Sequence, residues 1–339
     1  MMIMRKSLLW IAALAIVAAG CAKPVKTGLN EANKEYLQAW MLTHYPGVNA
    51  NADGLYIIED HAGTGALIGE PDATPYLRVN YTVQDLSETI TNTTLPKIAQ
   101  QIGTYSESNF YGPEIWTRPE NGLLVGVNRA VSDMRIGGSR RVVIPGWLLS
   151  SKTVGTVEYC YEHASGVNAI YTIDVVEGIS DIVKWEVDSL SSYIKHNVKS
   201  VSPADSVKYG YYYKQTKAPT KPDKSFAKDT TVSINYIGRL LDGTVFDTTI
   251  KDTAKFYGIY SASKTYAPTK VNMKEEYGKA TFASSGSTMI DGFAYTISLM
   301  HPGEKGSGIF YSKYGYGTKG SGATIPAYSP LCFDIEIVE

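Results

Sequence analysis

Val232-Ser-Ile-Asn-Tyr236, followed by Leu241-Asp-Gly-Thr-Val-Phe246-Asp247-Thr-Thr, decides how this chain is read. The first run alternates apolar and polar residues with the period of a half-buried strand. Asp242-Gly243 is a hairpin signal, because glycine accepts the positive φ that tight turns demand. Downstream stand Met289-Ile-Asp-Gly-Phe293, Met300-His-Pro-Gly-Glu-Lys305, Tyr314-Gly-Tyr-Gly317 and a closing Leu331-Cys-Phe-Asp-Ile-Glu-Ile337. Phe293, Ile297 and Met300 fall at i, i+4 and i+7, one face of a helix, and Gly303 sits where that helix would stop. Strands wrapped around a single short amphipathic helix predict an α+β layer.

The chain carries this pattern twice. Tyr76-Leu-Arg-Val-Asn-Tyr81 precedes Val232-Ser-Ile-Asn-Tyr236 with the two tyrosines 155 positions apart. Leu124-Val-Gly-Val-Asn-Arg-Ala-Val-Ser-Asp-Met134-Arg-Ile-Gly137 matches Ile290-Asp-Gly-Phe-Ala-Tyr-Thr-Ile-Ser-Leu-Met300-His-Pro-Gly303 at an offset of 166. Helical patterns at Tyr36-Leu-Gln-Ala-Trp-Met-Leu and Leu190-Ser-Ser-Tyr-Ile-Lys lead the two copies. A repeat this long implies two similar domains, 36–180 and 181–339, because solenoid units run only ~20–50 residues. The polar stretch 216–224 reads as an exposed loop before the second sheet.

With 339 residues, 44% of them hydrophobic and 19% charged, the chain can bury real cores. A net charge of −1 without a basic stripe argues against nucleic acid. Residues 1–20 read as a signal segment: Arg5 and Lys6, an apolar run from Leu8 to Ala19, then Ala18-Ala-Gly-Cys21. The run is shorter than the ~20 residues a membrane-spanning helix needs. Cys21 after small residues resembles a bacterial lipoprotein acylation site, with Ala18 where leucine is usual and 21–35 as a tether; a plain secretory signal is the other reading. This places the protein in the cell envelope, held to the outer membrane on its periplasmic or surface face. Cys160 and Cys332 read as small apolar strand residues. The five histidines lack metal-ligand spacing.

The ordered pieces between Thr231 and Glu339 resemble the FKBP family of peptidyl-prolyl cis-trans isomerases. The resemblance implies an α+β fold of two FKBP-like domains, each an antiparallel curved sheet, or half-barrel, around a short helix, with a leading N-terminal helix. It also implies that Tyr236, Phe246, Met289, Ile290, Ile325 and Phe333 wall an apolar pocket, with Phe293 at the floor, where the family usually has Trp. Asp247 matches the acidic residue beside the pocket and Tyr316 the tyrosine that meets a substrate carbonyl; Ile290 would offer its backbone N–H. Two further departures stand out: Ala280 replaces an expected aromatic wall residue, and 250–281 forms an insertion, read as a surface loop in preference to a flap. The chemistry needs no metal or cofactor. A prolyl bond turns over a barrier of ~18–20 kcal/mol set by amide resonance, and a catalyst has only to bind the twisted amide better than the planar one.

The first copy keeps Tyr81, but Ile90-Thr-Asn92-Thr-Thr replaces the Phe-Asp pair, Val127 takes the floor position and Trp147-Leu-Leu-Ser-Ser the Tyr-Gly loop. It is expected to be inactive and to serve spacing, dimerisation or client binding. The expected partners of the second copy are unfolded or exported proteins with exposed X-Pro bonds. The competing readings are a holdase or binding module without catalysis and, more remotely, a carbohydrate-handling surface lipoprotein.

Overall fold

The computed structural model describes residues 28–119, 122–150, 155–202 and 205–338. The signal segment, Cys21 and the first part of the expected tether, 21–27, lie outside them. Strands β1 (Tyr56–His61), β2 (Tyr76–Gln84), β3 (Ile90–Thr93), β4 (Glu114–Thr117), β5 (Ser139–Ile144) and β6 (Ala169–Ile179) build one antiparallel sheet. A second contains β7 (Tyr211–Lys217), β8 (Thr231–Leu240), β9 (Val245–Thr248), β10 (Thr269–Met273), β11 (Ala280–Phe282), β12 (Lys305–Phe310) and β13 (Leu331–Val338). The orders correspond: β1-β5-β6-β2, with β3 and β4 on the far side of β2, against β7-β12-β13-β8, with β9 and β10 on the far side of β8. The fold is mixed α+β.

Each sheet encloses its own apolar core. In β13 the alternation sends Phe333, Ile335 and Ile337 toward helix Asp291–Leu299, which contributes Phe293, Ala294 and Ile297. Cys332 points the other way, under Leu190 and Ile194 of helix Ile182–Asn197. The corresponding helix in the first unit, Val125–Ser132, buries Val127 and Val131. Met134 and Met300 are buried just past their helices, where Gly137 and Gly303 take φ of +83° and +75° to turn the chain into the next strand.

Three expectations need correction. The leading helix starts at Glu31, inside the expected tether, because Leu37, Trp40 and Met41 dock on the first core. Cys160 lies on helix Val157–His163, not on a strand. The segment 250–281 is more than a loop. It holds helix Lys251–Phe256, anchored by buried Ala254, and β10, whose Val271 and Met273 alternate into the second core.

That segment is itself duplicated. Thr93-Thr-Leu-Pro-Lys-Ile-Ala99 through Tyr105-Ser-Glu-Ser-Asn-Phe-Tyr111-Gly-Pro113 aligns with Thr248-Thr-Ile-Lys-Asp-Thr-Ala254 through Tyr260-Ser-Ala-Ser-Lys-Thr-Tyr266-Ala-Pro268, again 155 positions on. The geometry repeats with the residues. Tyr105 stacks on Tyr111 at 5.0 Å and Tyr260 on Tyr266 at 5.4 Å. The Tyr111 hydroxyl accepts from Ser106 N at 3.1 Å, and the Tyr266 hydroxyl from Ser261 N at 2.9 Å. Tyr81 N donates to Thr94 Oγ1 at 2.9 Å, and Tyr236 N to Thr249 Oγ1 at 3.0 Å.

Helix Ile182–Asn197 reaches the turn that follows β12 through a buried carboxylate. Glu186 accepts from Ser312 N at 3.1 Å and from Ser312 Oγ at 2.7 Å. Burial pushes its pKa up to about 7, against the pull of the Ser312 hydrogen bonds. An acid whose pKa is raised on folding binds protons more readily in the folded state. Its contribution to stability is therefore largest below the ordinary value of 4.5 and declines as pH rises to about 7. Glu186→Gln is expected to flatten this part of the pH–stability curve, each pKa unit being worth about 1.4 kcal/mol. Urea midpoints of the two proteins across that interval check it, and parallel curves would refute the assignment.

Candidate active site

Short β9 hangs from the end of β8, so Phe246 and Asp247 stand beside Tyr236 and Gly238. Helix Asp291–Leu299 begins directly after Met289 and Ile290, and its first turn carries Phe293. The loop after the Ser312–Tyr314 turn brings Tyr316 and Ile325, and β13 brings Phe333. Tyr236, Phe246, Asp247, Met289, Ile290, Phe293, Tyr316, Ile325 and Phe333 all line one cavity of about 370 Å³.

Aromatic rings dominate its walls. Phe293 stacks on Phe333 with centroids 4.4 Å apart and planes within 15°. Tyr236 meets Phe293 edge-on at 5.0 Å, and Phe246 meets Phe333 at 5.6 Å. Phe293, Phe333, Met289 and Ile325 are buried, whereas Asp247 and Tyr316 are more than a third exposed. An apolar floor thus opens to polar groups at the mouth.

Those groups are held in place. The Tyr236 hydroxyl donates to Asp247 Oδ2 at 2.5 Å, and Thr248 N donates to Oδ1 at 2.9 Å. Lys264 Nζ pairs with Asp247 Oδ1 from the Tyr260–Tyr266 loop. Burial, then the charge of Asp247, raises the pKa of Tyr236, and the same two causes raise that of Tyr316. Both phenols therefore remain neutral donors at ordinary pH. Ile290 caps the helix N-terminus, where backbone N–H groups are not consumed by the helical ladder and the dipole favours an acceptor oxygen.

Residues 222–338 match the family model described as FKBP-type peptidyl-prolyl cis-trans isomerase. The chain carries an FKBP-type domain. That domain resembles the FKBP-type 22 kDa peptidyl-prolyl cis-trans isomerase of Escherichia coli, with 28% identity over 113 residues, and the macrophage infectivity potentiator of Trypanosoma cruzi, with 30% over 112. Each match takes in 33% of this chain and 42% or 44% of the relative, so the chain spans less than half of either. The three FKBP domains of wheat FKBP73 align at a TM-score of 0.28 and 14% identity, over 84% of this chain and 93% of that one. A Pseudomonas syringae peptidyl-prolyl cis-trans isomerase aligns at 0.28 and 18%, over 46% and 94%.

The pocket of the FKBP-type domain has contributors that motif reading missed: Phe282, Thr288, Ser321 and Thr324. Phe282 answers the expected gap at Ala280. The two share one face of β11, with Ala280 in the core and Phe282 at the cavity. Among the described residues no cluster of His, Cys, Asp or Glu could hold a metal, and no helix is long and apolar enough to cross a membrane. In the first unit the Tyr81 hydroxyl bonds to Glu114 Oε2 at 3.2 Å and accepts from Asn92 Nδ2 at 3.3 Å, while Trp116 packs on the Tyr81 ring at 5.1 Å. A larger depression there, about 890 Å³, is lined by Glu70, Asp72, Arg118, Arg129 and Asp133 and by no aromatic among the described residues.

Gly238 leaves the room that the rings fill. A Cβ there would come within 2.6 Å of Phe246 Cε2 and 2.9 Å of Phe333 Cε1. Elsewhere in a strand, Gly→Ala gains ~0.5–1 kcal/mol. Gly238→Ala is instead expected to destabilise by about 1–3 kcal/mol through overpacking, read as a lower urea midpoint. An unchanged or raised midpoint would show that the rings are free to move aside.

Proposed function

We propose that the FKBP-type domain catalyses prolyl cis-trans isomerisation in unfolded or newly exported proteins, and that the chain comprises two FKBP-like domains, the first without a working site. The aromatic cavity with Asp247 and Tyr316 at its mouth, inside the matching segment, carries this reading. A proline ring fits against Phe293, between Tyr236 and Phe333, with Phe246 and Ile325 closing the sides. The twisted amide has lost its charge separation and tolerates an apolar wall better than the planar form does, which is where differential binding arises. The Tyr316 hydroxyl and the Ile290 N–H are donors for substrate carbonyls. Asp247, fixed by Tyr236, supplies negative potential beside the rotating group.

The corresponding test uses the full chain without its signal segment and an X-Pro reporter peptide. Phe246→Ala/Asp247→Ala should abolish the acceleration in a protein that still folds by circular dichroism. Tyr316→Phe should lower kcat/KM about tenfold, or roughly 1.4 kcal/mol. Absence of acceleration by wild type across several X residues would leave a binding module or holdase on an isomerase scaffold.

The same proposal places the protein at the cell envelope, anchored through acylated Cys21. Acyl chains hold a protein at about 0.8 kcal/mol per buried CH₂. Labelled fatty acid should enter the wild type and not Cys21→Ala, and the variant should leave the membrane fraction. No label in the wild type would point to a secreted protein without an anchor, and equal labelling of both to acylation at another residue.

A further inference from the structure

The outer wall of the cavity is a long loop, residues 315–330, that supplies Tyr316, Ser321, Thr324 and Ile325. Its internal ties are few: Ser321 and Ile325 exchange backbone hydrogen bonds at 2.7 and 3.1 Å, and Tyr328 N donates to Gly317 O at 2.9 Å. Ordering each backbone residue costs conformational entropy, and a loop of this length without regular structure is uncommon in a compact domain unless it serves a function or is disordered. Ile325 in the second core and Gly317 N, donating to Ser312 O at 2.9 Å, hold part of it from its own unit, and the remainder needs a second surface to hold it.

The first unit does so at two points. Phe110, in the Tyr105–Tyr111 loop, donates its backbone N–H to Ala323 O at 2.9 Å, and its ring packs against the second core. Tyr328 is gripped as well. Its ring meets Tyr76 edge-on at 5.5 Å, its hydroxyl shares a hydrogen bond with Thr117 Oγ1 at 3.2 Å, and it is buried with Ile179, Ile182 and Ile115. Tyr328 also has a φ of +57°, a left-handed conformation unfavourable for a non-glycine residue. Such strain persists only where surrounding contacts impose it, and here many of those contacts come from the first unit.

These first-unit residues lie outside the matching segment 222–338. We propose that the first unit is a positioning element for the prolyl pocket, with Phe110, Tyr76 and Thr117 holding loop 315–330 so that Tyr316 and Ile325 face the substrate. Its activity readout rests on the isomerase reading; its structural readout does not. A unit that lacks the pocket residues thereby still acts on the pocket. The duplicated Tyr-Ser-x-Ser loop has diverged in use: in the second copy Lys264 meets Asp247 within its own unit, and in the first copy the chain reaches across to the neighbour.

The test keeps the full chain and compares wild type with Phe110→Ala, Tyr76→Ala/Thr117→Val, the conservative Phe110→Leu, and Val131→Ala as a first-core substitution remote from the contact. Amide exchange across 315–330 is expected to speed up about tenfold in Phe110→Ala and in the double variant, with β8 and β13 unchanged. Their kcat/KM for the X-Pro reporter should fall about fivefold, Phe110→Leu should recover most of it, and Val131→Ala should move neither readout at a similar loss of thermal stability. Unaltered exchange in 315–330, or an equal change in Val131→Ala, overturns the proposal. Wild type without isomerase activity would remove the functional reading, and exchange alone would then decide this one.

Discussion

Helix Asp291–Leu299 meets its sheet through the Phe293 ring lying flat on Phe333, with Tyr236 edge-on beside the pair. Burying aromatics of this size dominates a core's energetics, and their mutual packing adds ~0.5–1.5 kcal/mol per pair. The stack also sets geometry. It fixes the height of the helix above β8 and β13, and so the position of Ile290 at the helix N-terminus. Tyr236 then cannot shift without disturbing the stack, and its hydroxyl fixes Asp247. Floor, wall and polar rim are thus consequences of one packing arrangement.

The first unit shows what survives when that arrangement is replaced. The scaffold hydrogen bonds remain, with Thr94 and Thr249 receiving the same backbone N–H in their respective copies. Val127 cannot provide a ring at the floor position, Asn92 takes the place of Asp247, and Glu114 engages Tyr81 instead. The framework depends on backbone pairing and small apolar residues, which tolerate substitution. The cavity depends on a few large rings in register with one another, and the first unit has Val127 and Asn92 at two of the corresponding positions.

Much of this was legible in the sequence because it is local. Strand alternation in Thr231–Leu240, the helical face of Phe293 and Ile297 and the turn at Asp242-Gly243 each depend on neighbours within a few residues; the nine residues assigned through the family resemblance line one cavity. Phe282 could have been found the same way, since it alternates with Ala280 on one strand. The segment 250–281 departs from the surface-loop expectation because the shorter family pattern offers no counterpart for its helix and strand. Setting it beside 95–113 at the offset of 155 already fixed by the tyrosines exposes the shared Tyr-Ser-x-Ser loop.

The contact between Phe110 and Ala323 belongs to a different class. Nothing in either segment's periodicity encodes it, because it joins two loops through a backbone N–H and a carbonyl that every residue other than proline possesses. Only the packing of the two units decides which N–H meets which carbonyl. Tyr328 is the nearest thing to a sequence trace. A bulky aromatic with a left-handed backbone is unfavourable alone and becomes tolerable when its ring is gripped by Tyr76 and Ile115. Local unfavourability compensated by a distant surface is the expected signature of coupling between units.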